Sequence, residues 1–142
     1  MLEWPTVNER DETFHRTKTT GETILVVEDF DDTRFMIKLS LELNGYRVLE
    51  AVNGQQAVDI ARRQPLDLIL MDLGLPVLDG FAATCLIRED ARLRDMPIVA
   101  VTAHATAEDR VRAYAAGCDE YVTKPLDFEK LAHLLGDLLG GD

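Results

Sequence analysis

Residues 68–80 read LILMDLGLPVLDG. Leu68, Ile69, Leu70 and Met71 follow one another with no polar alternation, as expected of a strand buried on both faces of a parallel sheet. The run ends on a carboxylate, Asp72. Outward from it lie four similar short runs: Ile24-Leu25-Val26-Val27, Tyr46-Arg47-Val48-Leu49, Ile98-Val99-Ala100-Val101 and Tyr121-Val122. Between and after them the spacing becomes helical. Met36, Leu39 and Leu43 form one apolar stripe, Val111, Tyr114 and Ala115 a second, and Leu131, Leu134, Leu135 and Leu138 the clearest.

The punctuation agrees with five β-α units. Gly45 stops the first helix, Asn53 caps the second, Pro65 lies just past it, and Gly117 ends the helix before the last strand. With no hairpin signal, such units imply right-handed crossovers and helices on both faces. The predicted fold is α/β, a doubly wound five-stranded parallel sheet of order 2-1-3-4-5, over residues 22–142. Residues 1–21 read as a polar extension, with Trp4 the one residue there suited to anchoring it on a surface.

The 142 residues amount to one ordinary domain, and 46% hydrophobic with 29% charged residues excludes a disordered chain or a collagen. Acidic residues outnumber basic ones, 26 to 15, for a formal net charge of -11. That disfavours direct binding to nucleic acid or to an anionic membrane. No signal peptide or membrane span is visible, so a cytoplasmic protein is expected. Cys85 and Cys118 fit neither a disulfide framework nor a zinc site, and both read as reduced, largely buried thiols.

In such sheets ligands bind at the carboxyl ends of the strands. There the sequence places Glu28 and Asp29 after the first run, Asp72 after the third, Thr102 after the fourth, and Thr123, Lys124 and Pro125 after the fifth. Three converging carboxylates repel one another unless a cation offsets them. Oxygen-only ligands suit Mg²⁺ or Mn²⁺. A lysine beside a bound cation is unfavourable unless an anion joins both, and a phosphoryl group is the natural candidate for Lys124. The Thr102 hydroxyl and the Ala103 N–H supply further donors to it. Taken singly, Asp29 reads better as a helix cap, Thr102 as a strand end and Lys124 as a loop lysine; only together do they point to a site.

Glu28-Asp29, MDLGLPVLDG (71–80), VTAHA (101–105) and YVTKPLD (121–127), as an ordered set, resemble the receiver domain of two-component response regulators. The resemblance covers roughly residues 22 to 139. It implies that Asp72 accepts a phosphoryl group from a histidine kinase or histidine phosphotransfer protein. It further implies that Asp29, Asp72 and the Gly74 carbonyl ligate Mg²⁺, with Glu28 acting through water. Thr102 would then move toward the phosphoryl group, Lys124 would pair with it, Tyr121 would follow Thr102, and the Lys124-Pro125 bond would be cis. The face formed by the fourth helix, fifth strand and fifth helix would change its contacts with a downstream protein or with a second copy. Two positions depart from the commonest pattern: Gly74, and His104 two residues after Thr102. In the family these two positions flank the water that attacks the acyl phosphate, so the resemblance leaves the phosphoryl lifetime open, and His104 reads equally as an exposed loop residue.

Three rivals remain. An acyl-phosphate phosphohydrolase needs a proton-moving residue two places after its nucleophile, where this chain has Gly74. A flavin module needs a phosphate-friendly first loop, and Glu28-Asp29-Phe30-Asp31-Asp32 repels phosphate. A receiver-like scaffold that is never phosphorylated is the third. The last helix runs nearly to Asp142, so no DNA-binding output domain is expected. Met1 and the leading segment favour a stand-alone regulator over one receiver of a larger protein.

Overall fold

The computed structural model describes residues 21–104 and 106–140. The expectation for residues 1–21 therefore falls, Gly21 aside, outside the described residues. The strands are β1 (Thr23–Val27), β2 (Arg47–Ala51), β3 (Leu68–Asp72), β4 (Ile98–Thr102) and β5 (Glu120–Thr123). The helices are α1 (Asp31–Leu43), α2 (Gly54–Arg63), α3 (Gly80–Glu89), α4 (Ala107–Ala116) and α5 (Phe128–Leu138). All neighbouring strands are parallel, in the order β2-β1-β3-β4-β5, as predicted. Strand β2 starts one residue later than the apolar run suggests. The Tyr46 N–H still bonds the Leu41 carbonyl at 3.1 Å, as part of the turn that ends α1.

Strand alternation separates two cores. Leu25, Val27, Ile69, Met71, Ile98 and Ala100 point to the side covered by α2, α3 and α4. Ile24, Val26, Leu68, Leu70, Val99 and Val101 point to the side covered by α1 and α5. The period-two side-chain direction of a strand gives each sheet face its own layer of helices.

Helix starts follow capping chemistry. Asn53 Oδ1 accepts from the Gln56 N–H at 2.8 Å, Asp79 Oδ1 from Ala82 at 2.8 Å, and Thr106 Oγ1 from Asp109 at 3.0 Å. Gly117 closes α4 with φ 118°, a left-handed turn that suits glycine. A side chain there would also strike Arg88, whose Cγ would lie 2.7 Å from the added Cβ. Arg88 fills that space, donating to the carbonyls of Gly117, Leu93 and Arg94 and to Asp119 Oδ2.

Two predicted stripes face the wrong way. Met36, Leu39 and Leu43 of α1 are exposed, and Ile37 and Leu41 are the buried residues. On α4, Val111, Tyr114 and Ala115 are exposed, and Ala113 alone is buried. Helical spacing identifies an apolar stripe but not its direction. On α1 a second pair lies on the opposite side, and on α4 a single small residue lets the helix lie close to the sheet. The α5 stripe is oriented as expected: Leu131 and Leu135 are buried, with Leu134 and Leu138 packed beside them. Cys118 is buried as predicted, but Cys85 is exposed on the outer side of α3. Among the described residues no helix is long and apolar enough to cross a membrane.

Candidate functional site

The carboxyl ends of β1, β3, β4 and β5 bring the predicted residues together. Glu28 and Asp29 follow β1, Asp72 closes β3, Thr102 closes β4, and Lys124 follows β5. Glu28, Asp29 and Asp72 each present a carboxylate oxygen, all within 4.8 Å of one another. Glu28 is only 2% exposed and Asp72 6%, while Asp29 opens to solvent. Lys124 Nζ donates to Asp72 Oδ2 at 3.1 Å and lies 2.9 Å from Glu28 Oε1. The Lys124-Pro125 bond is cis, as the resemblance implied.

The electrostatics follow from burial. Desolvation raises the Glu28 pKa, the Lys124 ammonium offsets part of that, and Asp72 adds to it. Burial by itself would lower Lys124, but its bonds to Glu28 and Asp72 outweigh burial and raise it. Glu28 Oε2 accepts the Phe30 N–H at 3.1 Å. Its Oε1 has the nearby ammonium but no aligned hydrogen bond among the described residues. A buried carboxylate oxygen left in that condition, facing two further carboxylates, is what a hard cation satisfies. The residues present therefore fit Mg²⁺.

The loop after β3 is shaped around Asp72. The Gly74 N–H donates to Asp72 Oδ1 at 3.0 Å. A Cβ on Gly80 would run into the backbone carbonyl oxygen of Asp72, so this loop packs on the strand end only with glycine there. The loop also contains a tight γ-turn, in which the Leu78 N–H donates to the Pro76 carbonyl at 2.7 Å across Val77 at φ 68°.

On the far side of the site, Thr102 Oγ1 accepts the His104 N–H at 3.0 Å. The Tyr121 hydroxyl donates to the His104 carbonyl at 2.6 Å. The two predicted switch residues are thus joined through one residue's peptide groups. His104 itself is exposed, as is Ala103. Tyr121 is buried at 8% exposure. That burial raises its phenol, Asp109 adds to the shift, and Arg110 offsets part of it.

Arg34 was not singled out from the sequence. Its guanidinium donates to the Glu28 carbonyl at 3.0 Å, to Glu50 at 2.9 Å and to Asp31 at 2.8 Å, pinning the acidic loop. The one local signal for it was its i,i+3 spacing from Asp31 on a helix.

The sequence matches the response regulator receiver domain over residues 24–136. It is 34% identical over 118 residues to the polar-differentiation response regulator DivK of Brucella anthropi, covering 83% of this chain and 96% of that protein. The structure resembles the receiver domain of the sensor histidine kinase PA1611 of Pseudomonas aeruginosa, which has a magnesium ion coordinated in its active site cleft. That match has TM-score 0.80 and 42% identity, covering 84% of this chain and 98% of the other. It also resembles the receiver domain of the Saccharomyces cerevisiae response regulator Ssk1, seen in complex with the histidine phosphotransfer protein Ypd1. Here the TM-score is 0.77 and the identity 31%, covering 83% of this chain and 88% of that one. With the predicted residues gathered at one sheet edge and the match spanning nearly the whole described fold, the chain belongs to the response regulator receiver domain family.

Proposed function

We propose that this receiver takes a phosphoryl group onto Asp72 from a phosphohistidine of a histidine kinase or phosphotransfer protein, and passes the signal to a downstream protein. The observation that carries the reading is Lys124, whose ammonium bridges Glu28 and Asp72 at the edge where three carboxylates meet. A carboxylate oxygen of Asp72 bonds to phosphorus as the phosphorus–nitrogen bond breaks, and the bonding pair returns to the imidazole ring. Lys124 stays beside the growing negative charge on the transferred oxygens. The Thr102 oxygen already accepts from His104, which leaves its hydroxyl hydrogen as the donor that can turn toward a phosphoryl oxygen. The Ala103 N–H is a second donor at the same edge.

Glu28, Asp29 and Asp72, with the Gly74 carbonyl, would hold Mg²⁺, and Mn²⁺ is chemically similar enough to replace it. When bound, the ion supplies positive charge against the phosphoryl oxygens. Gly74 and His104 flank the approach of the water that later releases phosphate, and so set the lifetime of the phosphorylated form. Residues 22–142 are the receiver and residues 1–21 an extension. Two unpaired cysteines suit a reducing compartment, and we take the cytoplasm as its location.

The test is intact mass after incubation with acetyl phosphate and MgCl₂. The native chain gains one phosphoryl group, Asp72→Asn gains none, and a chelator prevents the gain. Equal labelling of both proteins overturns the assignment.

A further inference from the structure

Tyr121 and Arg110 are paired in a way that the phosphoacceptor chemistry does not use. The Arg110 guanidinium carbon lies 4.9 Å from the centroid of the Tyr121 ring, within cation–π range. At the tip of the side chain, the Tyr121 hydroxyl donates to the His104 carbonyl, and the His104 N–H donates to Thr102 Oγ1. Arg110 stands near the start of α4, where the helix dipole disfavours a cation. Helix electrostatics therefore does not explain its place. Nor does an ion pair: among the described residues Asp109 pairs with Arg112, and no carboxylate pairs with Arg110. Arg112 rests on a different ring, Phe81, at 3.9 Å. Arg110 and Tyr121 line a cleft of about 430 Å³ together with Thr123, Leu126, Lys130 and Leu134.

We propose that Arg110 is a positioning residue for the switch: laid over the Tyr121 ring, it holds that side chain in the buried position and so sets how readily phosphorylation changes the α4–β5–α5 face. The role rests on the phosphoacceptor reading for its consequence but not for its geometry. A two-position side chain answers to every contact that differs between its positions. The hydrogen bond to His104 and the stack under Arg110 are both made in the buried position. Loss of the cation shifts the balance outward, and a stronger pull from the phosphoryl side is then needed to restore it.

The test uses the full chain labelled with 3-fluorotyrosine and read by fluorine NMR, with the Tyr121 signal assigned through Tyr121→Phe. In Arg110→Ala the ratio of buried to outward Tyr121 falls by about 2- to 30-fold, the range of one cation–π contact. Arg110→Lys, which keeps a cation over the ring, restores part of the ratio. Arg112→Ala, which strips the neighbouring cation from Phe81, leaves the signal in place. Acetyl phosphate with Mg²⁺ moves the Arg110→Ala signal back toward the buried position. An unchanged Tyr121 signal in Arg110→Ala, or an equal shift in Arg112→Ala, overturns the proposal. Intact mass on the same samples separates the two readings. A native chain that gains no phosphoryl group while its fluorine signal still depends on Arg110 supports the contact and overturns the phosphoacceptor role.

Discussion

Helices α1 and α5 cover the same face of the sheet and carry similar amounts of apolar side chain, yet they use it differently. On α5 the leucines turn inward: Leu131 and Leu135 are buried, and Leu134 and Leu138 pack beside them. On α1 only Ile37 and Leu41 are buried, while Phe35, Met36, Leu39 and Leu43 face solvent. Core formation explains every leucine of α5 but only two of the six large apolar residues of α1. Apolar surface that the core does not claim sits on a helix that begins two residues after Asp29, beside the phosphoacceptor edge. The difference separates residues that hold the fold together from residues whose placement has another cause.

The largest test of that division uses two leucines on one helix. Leu41 is 1% exposed and Leu43 77%. Leu41→Ala is expected to cost about 2–5 kcal/mol, through lost burial and the cavity left behind. Leu43→Ala is expected to stay within about 0.5 kcal/mol of the native protein. Urea unfolding of both variants measures the difference. A comparable loss at the two positions would mean that α1 is rotated from the orientation described here.

This pair also shows what the sequence could and could not convey. Strand runs were legible because a doubly covered strand is apolar throughout. The sheet order followed from βα alternation, and the strand ends led directly to Glu28, Asp29, Asp72, Thr102 and Lys124. The direction of α1 and α4 was not legible: on α1 either of two stripes satisfies helical spacing, and on α4 the buried side is marked by a single small residue, Ala113, which no periodicity reveals. The roles of Arg34 and Arg110 were hidden for a related reason. Arg34 reaches Glu50 on β2, and Arg110 reaches Tyr121 on β5, so neither of these partners lies within its helical neighbourhood.

Glycine gives the next contrast, within the loop after β3. A side chain on Gly80 meets the Asp72 carbonyl oxygen, whereas one on Gly74 finds its nearest neighbour, Asp72 Oδ1, 4.0 Å away. Gly80→Ala is expected to destabilise by about 1–3 kcal/mol and, by displacing the strand end, to slow labelling of Asp72. Gly74→Ala is expected to be neutral or stabilising by up to about 1 kcal/mol, since alanine restricts the unfolded chain. Unfolding and mass labelling run on both variants decide it, and a Gly80→Ala protein of native stability would mean that the loop does not pack as closely as described.

Helix starts differ in the same manner at smaller scale. Asn53 caps α2 through its side chain, while Phe30 precedes α1 with no side-chain cap. Asn53→Ala is expected to lose about 1 kcal/mol, and Phe30→Ala no more than about 0.5 kcal/mol. Thermal unfolding of the two variants would show a lower midpoint for the first alone.

The two cysteines carry the contrast down to a single proton. Cys118 is buried with its Sγ 3.9 Å from the Thr84 hydroxyl, and burial pushes its thiol up to about 11. Cys85 is exposed on α3. At pH 8 a thiol reagent is expected to modify one cysteine of the native protein, identified as Cys85 by peptide mass, and the second only in urea. The sign of the pH effect on stability follows from the same shift. The folded state holds the Cys118 proton to higher pH than the unfolded chain does. That contribution is complete below the ordinary value of 9.0 and is lost as pH rises toward about 11. Cys118→Ala removes this slope from the alkaline limb of the stability profile, and Cys85→Ala leaves it. If both thiols react at once in the native protein, the α3–α4 side of the core opens to solvent on the reagent's timescale, and its packing is looser than that beneath α5.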